Sequence, residues 1–184
     1  MTLTMQKQAG PVNSVALGAM GGGVEPTHYL VCDVGTQTCA FDAAEVVEIL
    51  PYAALSNEPG APPILAGFLN LGGQPIAILW LARLLNIQDC PCSVGLHTPI
   101  VLLRDGDDCV GAIATRIAAV VASARTRLVA LPEHLIAEAA LNVNGKLLPV
   151  VSARTLVLEQ EQSCIAELAN HHQRRIAAAR RGQA

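Results

Sequence analysis

The chain has 184 residues, enough for one domain or two small ones sharing a core, and 52% of it is hydrophobic, so a sizeable core can be built. Aromatics make up only 3%, so that core must come from Ala, Val, Ile and Leu. The net charge is −3, with two lysines, ten arginines and no basic stripe interleaved with aromatics, which argues against a nucleic-acid partner.

No apolar run approaches the roughly 20 residues of a spanning helix. The most apolar stretch, Pro75 to Leu85, is interrupted by Arg83. The N-terminus lacks a charged head followed by an apolar segment and a cleavage site. A soluble, cytoplasmic protein with no membrane insertion is the expectation.

Residues 1–27 read as a disordered leader. Its run Gly18-Ala19-Met20-Gly21-Gly22-Gly23 has neither the strand before it nor the helix after it that a phosphate loop needs. The first strand is His28 to Val34, turned by Gly35-Thr36-Gln37 into Thr38 to Asp42. Ala43, Val46, Val47 and Leu50 then give a helical, or helix-then-strand, pattern that Pro51 ends. Asn57 to Pro63 is a stiff loop with three prolines. Ile64 to Leu71 and Ile76 to Leu79 form a hairpin around Gly72-Gly73, where glycine supplies the positive φ of a primed turn. Trp80 to Asn86 reads as a short helical turn.

The second half repeats the first. Ile100 to Arg104 and Cys109 to Ala114 flank the polar turn Asp105-Gly106-Asp107-Asp108. Ile117 to Ala122 and Leu128 to Leu135 follow, then a hairpin at Asn144-Gly145 that returns through Lys146 to Val151. Leu69-Asn70-Leu71-Gly72-Gly73-Gln74 and Leu141-Asn142-Val143-Asn144-Gly145-Lys146 lie 72 residues apart. At the same offset Tyr29-Leu30-Val31 faces Val101-Leu102-Leu103, and Asp33 faces Asp105. Two tandem all-β units packed on one another are the natural reading.

From about Leu156 the pattern turns helical. Leu158, Ile165, Leu168, His172, Ile176 and Ala179 line one face of an amphipathic helix. Glu159 and Glu161 near its start, and Arg174, Arg175, Arg180 and Arg181 near its end, suit the helix dipole. The helix either packs back on the body or offers a narrow seam to a partner.

From His28 to Leu158 the chain resembles the CheW-like coupling proteins of bacterial chemosensory systems. The resemblance rests on Cys39-Ala40-Phe41-Asp42 followed by Glu45-Val46-Val47-Glu48-Ile49-Leu50, on the loop Glu58 to Gly67, and on the hairpin Phe68-Leu69-Asn70-Leu71-Gly72-Gly73. In the second half it rests on Val110-Gly111-Ala112-Ile113 and Gly145 to Val151. It implies a mainly β fold of two five-stranded barrels around a shared core, about 28–95 and 96–158, with residues 159–184 added as a helix. It also implies a non-enzymatic adaptor without a cofactor. Such proteins bind the cytoplasmic tip of chemoreceptors and the regulatory domain of a CheA-type histidine kinase, in arrays at the inner membrane.

Three departures mark a divergent member. Gly72 stands where the family usually has Arg, Trp80-Leu81 where it has Asp-Leu, and Ala114-Thr115-Arg116-Ile117 where it has a Val-Asp-x-Val pattern. They point to an alternative pathway, such as surface sensing or pilus motility.

The partner-binding residues implied are Val46, Val47, Glu48, Leu69, Asn70, Leu71, Gly72, Gly73 and Trp80. Asn70 also has a structural reading, satisfying backbone groups of the turn, and Asn142 echoes it. Interfaces are enriched in Trp, yet a lone Trp after a strand is usually at least partly core.

The other chemistry-bearing residues give weaker patterns. Cys32, Cys39 and Cys109 sit among apolar neighbours and read as small core hydrophobes. Cys90-Pro91-Cys92 is the one suggestive pair, but zinc sites usually show a second pair. The alternative reading is a small-ligand, metal- or redox-sensing barrel using Cys90 and Cys92. His171 and His172 are adjacent on the helix and point about 100° apart, a poor arrangement for one metal. No Ser-His-Asp, Cys-His or nucleophile-elbow pattern is visible.

Overall fold

A computed structural model describes residues 26–87, 94–123, 128–130, 137, 139–156 and 159–181. The leader up to residue 25, the Cys90–Cys92 pair and residues 131–136, the end of the Leu128 to Leu135 segment included, lie outside these. The strands are β1 (Thr27–Val34), β2 (Gln37–Asp42), β3 (Val46–Pro51), β4 (Leu65–Leu71), β5 (Gln74–Trp80), β6 (Pro99–Asp105), β7 (Asp108–Ile113), β8 (Arg116–Ser123), β9 (Leu128–Ala130), β10 (Ala139–Val143) and β11 (Lys146–Val150). Helix α1 spans Leu81–Leu84 and helix α2 spans Glu159–Arg181.

The helical pattern from Ala43 to Leu50 does not become a helix. The Asp42 carboxylate accepts a 2.9 Å bond from the Ala44 N–H, closing a turn at the end of β2. The β-branched Val46, Val47 and Ile49 then extend as β3 against β6. Pro51 sits at the end of that strand, opposite Pro99.

The strands form a six-stranded sheet, β8-β1-β2-β11-β10-β9, and a five-stranded one, β3-β6-β7-β5-β4. Among the described residues both ladders are open rather than closed into barrels. In the five-stranded sheet the end strands β3 and β4 are joined by the loop 52–64, whose prolines cannot donate to a ladder. It touches β4 by one antiparallel bridge, Ser56 to Phe68.

Neither sheet is built from one half of the sequence. Each takes the first two strands of one half and the remaining strands of the other. β1 and β2 lie between β8 and β11, and β6 and β7 lie between β3 and β5. The joins that make this exchange are the parallel pairs β2–β11 and β5–β7, and the antiparallel pairs β1–β8 and β3–β6.

The pleat explains the apolar character of β1. Leu30, Cys32 and Val34 face the core shared by the two sheets, with Phe41, Phe68, Leu79, Val101 and Leu103. Tyr29 and Val31 face a smaller cluster with Leu141 and Leu148. On the five-stranded sheet Leu69, Ile76, Ile78, Ile100, Leu102 and Ile113 form the matching cluster. Each such side chain contributes about 1.5–3 kcal/mol on burial.

Cys32 and Cys39 are directly opposed across β1 and β2, and both are fully buried. Burial, with Asp33 adding a smaller effect, pushes the Cys32 thiol up to about 12. The Cys39 thiol is raised chiefly by burial as well, then by Cys32 and Asp33. Both behave as core hydrophobes, as their sequence context implied.

Candidate functional site

The two β hairpins that echo each other in sequence also share their turn chemistry. The Asn70 side-chain oxygen accepts from the Gly73 N–H at 2.9 Å, and the Asn142 oxygen accepts from the Gly145 N–H at 3.0 Å. Gly72 and Gly73 hold φ of 62° and 100°, and Asn144 and Gly145 hold 52° and 83°. Asn tolerates the left-handed region almost as glycine does, so the two turns are interchangeable devices. Asn70 therefore braces its turn, whatever else it does.

The nine residues singled out from sequence fall in two groups at opposite ends of the five-stranded ladder. Val46, Val47 and Glu48 lie on edge strand β3, where the register shifts between Val46 and Glu48. Val46 packs on the shared core, while Val47 and Glu48 are exposed. Ile49, not among the nine, is exposed beside them.

Leu69 and Leu71 share one face of β4, yet Leu69 is buried and Leu71 is 43% exposed. Leu71 has run past the end of the core, at the turn. Gly72 is exposed and Gly73 buried. Trp80 is half-buried against the cluster around Ile78. Its ring lies 5.8 Å from the Arg83 guanidinium, within cation–π range.

Arg116, at one of the three sequence departures, forms an ion pair with Asp33. Its neighbour Thr115 accepts from the Gly35 N–H at 2.9 Å and donates its own N–H to the Asp33 carbonyl at 2.8 Å. The altered motif thus ties the start of β8 to the β1–β2 turn.

Sequence reasoning missed the cluster that holds the two buried polar side chains among the described residues, Glu58 and His172. It forms where α2 packs back on the body. The Glu58 side chain, in the proline-rich loop, is 4% exposed. It receives His172 Nδ1 at 2.8 Å and Arg175 Nη1 at 3.1 Å on one oxygen, and Arg175 Nη1 again at 3.3 Å on the other. His171 Nδ1 stands 3.8 Å away. An ionised carboxylate can only accept, so Nδ1 is the protonated nitrogen of His172.

The His172 hydrogen bond is the largest influence on the Glu58 carboxyl and lowers it. Burial opposes this, and the charges of Arg175, His172 and His171 add to the lowering, for a net shift below the usual carboxylate range. The His172 ring also stacks on Phe68, centroids 5.6 Å apart and planes 18° apart. The sequence places His172 on the apolar face of the helix, and of the two roles open to that face the structure shows it packed back on the body. Its partner lies 114 residues earlier, and no local spacing reveals it.

The same loop is held elsewhere. Arg83 donates to the Pro63 carbonyl, the Trp80 N–H donates to the Ile64 carbonyl at 2.8 Å, and the Tyr52 N–H to the Thr98 carbonyl at 2.8 Å. Loop, α1, β4 and α2 are therefore one connected unit around Phe68.

A family model described as the CheW-like domain matches residues 28–135. In structure the chain is similar to the scaffolding protein TtCheW from Thermoanaerobacter tengcongensis, with a TM-score of 0.68 and 15% sequence identity, covering 79% of this chain and 96% of that one. At that identity the likeness speaks for the fold. No curated protein matches the chain.

Proposed function

Because the chain belongs to the CheW-like domain family, we propose that it is a non-catalytic scaffold that couples chemoreceptor tips to a CheA-type histidine kinase. The observation that carries this reading is the family match, which spans more than half of the chain. The likeness to a scaffolding protein supports it.

The described surface suits the role. Edge strand β3 presents Val47 and Ile49, 46% and 43% exposed, on either side of Glu48. A second apolar contact, Leu71, projects from the braced β4–β5 turn. Apolar contacts rimmed by polar groups are what a protein interface needs. Contacts too weak to hold singly gain avidity when an array repeats them. Signal would pass as a bias on kinase conformation, with no chemistry on this chain. The array would be cytoplasmic, at the inner membrane. The replaced Arg at Gly72 favours a dedicated receptor and an alternative pathway, such as surface sensing or pilus motility.

Calorimetric titration at defined salt tests this, using the kinase regulatory domain encoded in the same genome and, separately, a receptor-tip fragment. Saturable binding to both is expected. Binding to neither, well into the tens of micromolar, would overturn the adaptor reading.

A further inference from the structure

Helix α2 is long but thinly attached. Of its described side chains only Ile165 and His172 are buried. Leu168 and Ala169 add partial cover over the shared core. The helix packs chiefly on β5. It does not close against the β6–β7 turn, and an open groove of about 620 Å³ remains there, lined by Ala166, Asn170, Pro75, Asp105 and Cys109 among others. A second groove, of about 350 Å³, runs between Ala169, Asn170 and Gln173 on the helix and Leu71, Gln74 and Ile76 on the hairpin. The helix therefore lies alongside the tip of the β4–β5 hairpin.

Among the described side chains, Glu58 gathers the helix's charged contacts with the body. Glu58 is buried, and its charge is matched by His172 and Arg175, both supplied by α2. If the helix leaves, the loop keeps its other ties to β4 and α1. What is left behind is an apolar seat around Phe68 and Ala77 with one carboxylate at its rim. Such a seat fits an amphipathic helix carrying a basic side chain, because that is what it already holds.

We propose that α2 is a displaceable cover, latched at Glu58, that competes within the chain for the surface at which the β4–β5 hairpin meets a partner's helix. This rests on the adaptor reading above. Binding is then reduced by the fraction of chains in which the cover is closed.

The test uses the full chain with Arg175→Glu, at a side chain 62% exposed, and with Glu58→Gln as a second variant. Amide exchange along α2 should quicken several-fold in both. Unchanged exchange would overturn the latch. A synthetic peptide of residues 159–181 should bind Arg175→Glu saturably and the unaltered chain at least tenfold more weakly. No binding of the peptide to either variant would overturn the seat.

The receptor-tip fragment should bind Arg175→Glu, whose seat keeps the Glu58 carboxylate, several-fold more tightly than the unaltered chain, and should displace the peptide. Equal or weaker binding to Arg175→Glu, or no displacement, would overturn the cover. If neither the receptor tip nor the kinase domain binds any form while the peptide still binds the variants, the adaptor reading fails and the helix seat stands.

Discussion

Glu58 shows how one carboxylate can couple distant parts of a chain. Its ionised form is favoured in the folded protein, so its carboxyl lies below the ordinary value of 4.5. A group lowered on folding stabilises the fold wherever the unfolded chain would also be ionised, that is above about 4.5, and the contribution fades as pH falls through the lowered value. The expected outcome is a melting temperature that declines on acidification below pH 4.5 in the unaltered chain. In Glu58→Gln the difference from the unaltered chain should shrink over the same window. Thermal melts from neutral pH to 3 check this, and parallel curves would count against it. Duplication made Asn70 legible, because Asn142 repeats its setting. Nothing duplicates Glu58, and the residues that neutralise it lie on a helix outside the repeat.

At the scale of elements, the strands followed from their alternation and turn residues, while the Ala43–Leu50 segment did not. Its apolar spacing suits either state, and the Asp42 turn together with the β6 partner selects the strand. Gly67 ends the loop segment that carries the resemblance, but its sequence setting does not say why glycine stands there. It lies in β4 at a register shift, with φ of 144°. A Cβ there would stand 2.9 Å from the Ser56 carbonyl oxygen and 2.8 Å from the Asn57 side chain. The missing side chain is what lets the proline-rich loop lie against β4. Gly67→Ala should destabilise the fold by roughly 1–3 kcal/mol through crowding, with a further cost from the unfavourable φ. Gly72→Ala, at a turn position with open space around it, should lose only about 1 kcal/mol. Urea denaturation of the two variants gives the comparison, and equal midpoints would contradict it.

At the scale of the whole molecule, the 72-residue echo correctly announced two similar β units, but not which strands pair with which. The pattern of apolar and polar residues is the same whether each half closes on itself or lends its first hairpin to the other. Only the ladders that cross between halves, β1–β8, β2–β11, β3–β6 and β5–β7, distinguish the two. Since each sheet takes strands from both halves, the halves cannot part without opening both. A specific protease site inserted after Gly95, beside the 81% exposed Leu96, should therefore yield two fragments that migrate together and melt in one transition. Two separately folded halves would refute the exchange. The same wiring bears on ancestry. A gene encoding one half would make a protein with neither sheet complete, and two copies could complete both only by trading hairpins. Fusion of two such genes would turn an obligate swapped dimer into a single polypeptide, and each half would then be free to diverge. A turn could keep Asn144-Gly145 on one side and become Gly72-Gly73 on the other without disturbing the frame they share.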